Sequence, residues 1–130
     1  MKKILFLTAL LVLGIGCNST YVRNENVGVE KIEKVYSKEY TLENSEITMT
    51  LEKDKIYGFA GVNRYFGSAI IDGDNISIEN IATTLMMGDE KTMAEEAEYL
   101  RNLSMVDKIY VNENEITLTN GAITLKFKKK

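Results

Sequence analysis

The stretch ITLTNGAITLKF, Ile116 to Phe127, decides the fold. Apolar residues at 116, 118, 123, 125 and 127 alternate with Thr and Lys, the period of a strand with one buried and one wetter face. Asn120-Gly121 between the two runs is a strong hairpin signal, because both central residues of a type I′ turn need positive φ. The spacing therefore predicts two antiparallel strands joined at Asn120-Gly121.

Working outward, the same period returns at Ile47, Met49 and Leu51 and at Ile76 and Ile78. The breaks are short and polar: Lys53 to Lys55, Asp72 to Asn75, Asn112 to Asn114. Loops of that length force antiparallel neighbours, since a parallel crossover needs about a dozen residues or more. One segment departs from the pattern. Thr92 to Val106 places Met93, Ala97, Leu100, Leu103 and Ser104 at helical spacing, with Thr92 and Glu95 fitting a capping box and Glu95 and Glu96 in the first turn. The expected architecture is mainly β: an antiparallel, barrel-like sheet of seven or eight strands with one helix inserted before the last three.

The first residues, MKKILFLTALLVLGIGC, combine two lysines, an apolar run from Ile4 to Ile15 and the only cysteine. That is a signal peptide, too short for a comfortable membrane span. Gly16 directly before Cys17 gives it the look of a bacterial lipoprotein lipobox, with Cys17 diacylated and becoming the mature N-terminus. Residues 1–16 are read as the lipoprotein signal peptide, 17–31 as a lipidated tether with a short ordered piece near Ile32 and Val35 to follow, and 32–130 as one domain. Such a chain is expected in the bacterial cell envelope, held to the membrane through lipid on Cys17, at the outer rather than the inner membrane of a Gram-negative cell.

Beyond residue 16 there are 14 basic residues (16 less Lys2 and Lys3) against 19 acidic ones, a formal charge of −5. This argues against nucleic acid or anionic lipid as the natural partner. The terminal KFKKK reads as a solubilising guard on an edge strand. With no histidine and no second cysteine, Ser/His and Cys/His catalysis and the ordinary zinc site are excluded. Carboxylates remain, but they fall in turn tips (Asp54, Asp72, Asp74, Glu113) and on the helix (Glu95, Glu96, Glu98), where solvation is the ordinary fate. No catalytic residue, metal site or cofactor is expected.

The decamer GFAGVNRYFG, Gly58 to Gly67, interrupts the strand pattern. Its glycine spacing fits no phosphate-binding loop, and no helix follows it. One reading is structural: Gly58 and Gly61 allow a bulge or close backbone approach, Phe59 fills the core, and the Asn63 amide satisfies strand groups left unpaired. The other makes Asn63, Arg64 and Tyr65 a recognition surface.

GFAGVNRYFGS followed by IENIATTLMMGDEKTMAEEAEYLRNL resembles the META domain, the family of the HslJ heat-shock lipoprotein. Gly58, Gly61, Asn63 and Gly67 match the family's first motif, Thr84 and Met86 its second, and Glu95, Tyr99, Leu100 and Leu103 its helix. The resemblance covers roughly residues 32 to 128. Val62 and Gly88 stand where the family carries cysteines; if those pair in relatives, losing both leaves no orphan thiol. The family's early Trp-containing strand is replaced by KVYSKEYTL, with Tyr36 or Tyr40 to fill the gap. The resemblance implies an antiparallel barrel-like fold and a non-enzymatic envelope lipoprotein of stress or drug tolerance, acting by contact with an envelope protein or a small ligand. A lysozyme or protease inhibitor, with the basic residue of VNRYF as its plug, is the alternative.

Overall fold

A computed structural model describes residues 31–112 and 114–130. The signal peptide, Cys17 and all but the last residue of the tether lie outside the described residues. The elements run β1 (Glu39–Leu42), β2 (Thr48–Glu52), β3 (Lys55–Phe59), β4 (Arg64–Asp72), β5 (Asn75–Thr83), α1 (Glu90–Met105), β6 (Lys108–Val111), β7 (Glu115–Thr119) and β8 (Thr124–Lys129). Every strand pairs antiparallel with its neighbours in sequence, and β1 pairs with β8, Tyr40 opposite Lys129.

The expectation of a barrel-like sheet of seven or eight strands needs correction. There are eight strands, and their hydrogen bonding does run round a ring, but it is not an evenly closed one. Between β5 and β6 a single residue pair, Asn75↔Lys108, is in register, supported by Ile76 N–H to Asp107 O and Ile109 N–H to Asp74 O. The rest of β5 pairs with β4 alone and lies against α1. The ring is narrowest at this edge, where a 16-residue helix connects β5 to β6 and wedges Tyr99 and Leu103 into the core.

The inward positions of the alternation fill the interior. Met49, Leu51, Ile56, Leu103, Ile116, Leu118 and Phe127 are fully buried, with Tyr40 and Tyr65 the largest side chains beside them. At about 1.5–3 kcal/mol for each large apolar side chain removed from water, this core is the main force holding the sheet together. Residues 31–33 are helical and lead into a turn that buries Val35. Tyr40, in β1, is the tyrosine that enters the core, while Tyr36 is half-buried.

The turn between β7 and β8 differs from the expected type I′. Only Gly121 has positive φ, 91°, and Asn120 N–H bonds Ile123 O, so the central pair is Gly121-Ala122. A glycine at the first central position suits the II′ family. The shift comes from the Asn120 side chain, whose Oδ1 accepts from Ala122 N–H and Ile123 N–H while its Nδ2 donates to Met105 O at the end of α1. Leu118 then faces Leu125 and Ile116 faces Phe127.

Helix α1 begins two residues before the expected Thr92, and its N-cap is Asp89, whose side chain accepts from Thr92 N–H. These hydrogen bonds, from the Thr92 backbone first and then from its hydroxyl, hold the Asp89 carboxyl below its ordinary range. The buried stripe is Glu96, Tyr99 and Leu103; Met93 is half-buried and Ala97 exposed.

Candidate functional site

The decamer Gly58–Gly67 is a hairpin corner. β3 ends at Phe59, β4 starts at Arg64, and Ala60 N–H bonds Asn63 O at 2.8 Å across the turn. The bulge lies further along, where β4 and β5 slip register between Phe66 and Ser68. Close approach does explain Gly58: a Cβ there would lie 2.2 Å from Thr48 O. Phe59, expected in the core, is only half-buried, because Tyr65 takes the inward position opposite Gly58.

Asn63 is 4% exposed and organises the corner. Its Oδ1 accepts from Met86 N–H at 2.6 Å and from Thr84 Oγ1 at 2.9 Å. Its Nδ2 donates to Met86 O at 3.1 Å and Glu96 Oε1 at 2.8 Å. Glu96 Oε2 accepts the backbone N–H groups of Val62 and Asn63 at 2.8 and 2.7 Å. Thr84 Oγ1 also accepts Arg64 N–H, and Thr84 N–H bonds Arg64 O. One amide and one carboxylate thus tie the β3–β4 corner, the segment after β5 and helix α1 together.

Glu96, 5% exposed, is the residue that sequence reasoning placed in solvent. Its signal was present: 96, 99 and 103 are spaced i, i+3, i+7, one helical face shared with Tyr99 and Leu103. Burial pushes its carboxyl upward, but the Asn63 backbone and side-chain donors and Val62 N–H outweigh that, leaving the carboxyl below its ordinary range. It is an anion held by three donors. Three of its roughly four lone-pair sites are taken and the side chain is buried, so it anchors the corner rather than moving protons.

Beneath it, Tyr65 Oη donates to Thr48 O at 2.8 Å and shares a 2.6 Å hydrogen bond with Tyr99 Oη. Because the Tyr65 proton is spent on Thr48, Tyr99 is the donor between them. Burial pushes both phenols well above their usual range, which keeps them neutral and structural. The rings pack edge to face at 5.5 Å between centroids, and Tyr99 meets Phe127 similarly at 6.3 Å.

Of the three residues read as a candidate surface, the structure leaves only Arg64 in solvent; Asn63 and Tyr65 are buried. Two of the motif residues also meet here, Thr84 and Met86, the latter through its backbone. Val62 and Gly88 are in contact: a Cβ on Gly88 would lie 2.5 Å from Val62 Cγ2 and 3.4 Å from Val62 Cβ. The network's outer side carries Leu85, 94% exposed, Met86 and Met87, 86% exposed, with Phe66 and Tyr57 also exposed and paired on β4 and β3. The motif reading did not single out that apolar surface.

Among the described residues, no group of three or more His, Cys, Asp or Glu side chains is placed to hold a metal ion, and no helix is long and apolar enough to cross a membrane. Fold and corner together define a small antiparallel β domain, joined by a single residue pair between β5 and β6 and locked by a helix-borne carboxylate. The chain belongs to the META-domain family, whose model matches residues 25–130. The match begins within the stretch read above as tether.

No curated protein matches significantly. Among solved structures, an NMR structure of a protein from Burkholderia xenovorans is similar at 21% identity and a TM-score of 0.62, over 75% of this chain and 85% of that one. A second NMR structure gives 18% identity and 0.58, over 74% and 92%. A DUF4847 family protein from Bacteroides vulgatus gives 15% and 0.52, over 63% and 57%. At these identities the likeness concerns the fold.

Proposed function

We propose that this META-domain protein is an envelope lipoprotein that supports stress or drug tolerance by non-covalent contact with another envelope protein. The observation that carries the reading is the segment Leu85–Met86–Met87, three large apolar side chains in water on a segment that Asn63 holds through the Thr84 hydroxyl and the Met86 backbone. Apolar side chains held out on a fixed frame bind at low ordering cost, because little chain entropy remains to be lost. Methionine, flexible and polarisable, suits such a surface.

The inhibitor alternative asked for a protruding basic plug. Arg64 is exposed, but it is the first residue of β4, paired with Phe59. It therefore belongs to the sheet, and the segment that stands in water is 85–87.

A photoreactive amino acid at Leu85 tests the reading in intact cells. A discrete adduct at Leu85, absent with the same probe at Lys126, is the expected result, together with stress sensitivity of a Leu85→Ser/Met87→Ser variant. Recovery of the monomer alone at Leu85 under the stress condition overturns it.

A further inference from the structure

At the opposite end of β4 from the Asn63 corner, the chain enters the domain through a basic groove. Lys31, Lys34 and Lys38 line it with Val35, Val111 and Asn112. The three lysines are exposed and spaced i, i+3, i+7. Among the described residues the ion pairs are Lys91–Glu95, Lys108–Asp74, Lys128–Glu43 and Lys130–Glu39, and none uses these three. The C-terminal lysines adjoin the same end, with Lys129 N–H on Asn114 O and Lys130 N–H on Glu39 O. Glu33 lies within the entering turn, Glu52 accepts from Ser37 Oγ and Asp54 lies near Tyr36, while the groove's own lining carries the three lysines and no acid.

The other end carries the opposite sign. Asp89, Glu90, Glu95 and Glu98 are exposed on and before the first half of α1, against Lys91 and Arg64. The net charge argues against anionic lipid as a partner for the whole chain, but charge is not spread evenly over it. A surface of negative charge repels the helix end and attracts the groove, and within a Debye length of about 8 Å only the nearer end counts.

We propose that this groove seats the domain on an anionic lipid surface, with the Leu85–Met87 segment turned away from the membrane. The inference rests on lipidation of Cys17. From Cys17 to Lys31 the chain has 14 steps, which can reach at most about 50 Å. A lipid on Cys17 therefore tethers this end of the domain, and with it the groove, near the headgroups. Each lysine near an anionic leaflet contributes about fivefold (about 1 kcal/mol).

The test uses the full-length lipoprotein in vesicles, with Glu33→Cys or Leu85→Cys as a reporter thiol, since Cys17 is the only cysteine and its sulfur is consumed by the lipid. Reaction of the Glu33→Cys variant with a water-soluble maleimide is expected to slow at least about fivefold when phosphatidylglycerol is added to phosphatidylcholine vesicles. It should recover in high salt and in a Lys31→Gln/Lys34→Gln/Lys38→Gln background, while the Leu85→Cys variant reacts at one rate throughout. Equal rates for the Glu33→Cys variant in both vesicles, or slowing of the Leu85→Cys variant, overturn the proposal. Equal slowing by soluble polyglutamate overturns the lipid assignment in favour of an acidic macromolecule. The N-terminal peptide mass separates the two readings: a mass without the diacylglyceryl group overturns the anchoring and this proposal with it, whereas its presence with equal rates overturns the proposal alone.

Discussion

Two hairpin turns of this sheet are closed in different ways. The turn at Asn120–Ile123 is closed by its own first residue, whose Oδ1 takes the next two available N–H groups. The turn at Ala60–Asn63 has its N–H groups taken by Glu96, 33 residues further on. The first draws its acceptor from within the turn, with one further bond from Asn120 to Met105. The second exists only when α1 has docked, so the corner, the segment after β5 and the helix stand or fall together. The sharpest way to break the comparison is Glu96→Ala, which strands three donors, two of them buried, and is expected to cost about 3–4 kcal/mol. Denaturant unfolding measures it, and a loss under about 1 kcal/mol would mean water replaces the carboxylate without penalty.

This difference also explains what was legible in the sequence. The strands from Ile47 to Leu51, from Asn75 to Ile78 and from Ile116 to Phe127 were readable because alternation and turn residues act over a few positions. Asn120-Gly121 was located correctly as a turn, but its register moved because the Asn120 side chain also reaches Met105, a contact no local rule contains. Glu96 was misread for the same reason. A glutamate in the first turns of a helix is normally solvated, and only the corner it meets, from a distant part of the chain, makes it a buried anchor. The short pairing between β5 and β6 was likewise invisible, since periodicity describes a strand's faces and not its edges.

The comparison can be reversed by tying the corner covalently. Val62→Cys with Gly88→Cys places Cβ atoms about as close as a disulfide allows, 3.4 Å by the present geometry against about 3.5–4.5 Å in known bridges. Oxidation is expected to raise stability by about 3.5 kcal/mol for a loop of this length, less any strain. In that background Glu96→Ala should cost visibly less, because the bridge joins the corner to the segment before α1 without the helix. An unchanged cost, read by the same unfolding experiment, would show that Glu96 serves α1 alone.

Acid separates the two turns without a mutation. The folded Glu96 carboxyl lies below its unfolded value, so its stabilisation is full above the unfolded pKa of about 4.3 and is lost as pH falls through the folded value. Amide exchange at Val62 and Asn63 should therefore accelerate below about pH 4, while Ala122 and Ile123, held by an amide that does not titrate, keep their protection relative to the rest of the sheet. Glu96→Gln removes this part of the acid limb. If exchange at both turns rises in parallel, global unfolding rather than the carboxylate governs the corner.

The smallest effect belongs to the local turn. Asn120→Ala removes the acceptor of Ala122 N–H and Ile123 N–H and the donor to Met105 O. All three groups lie near water, which takes their place, so the expected loss is about 1 kcal/mol. Gly121 keeps its positive φ, and the Leu118↔Leu125 and Ile116↔Phe127 pairs keep their register because both pairs are buried in the core. Nuclear Overhauser contacts between those pairs should survive the change while protection at Ala122 is lost. A loss above about 3 kcal/mol would place the turn among the core-dependent elements, and would mean that the bond from Asn120 to Met105 makes this turn, too, a part of the helix's docking.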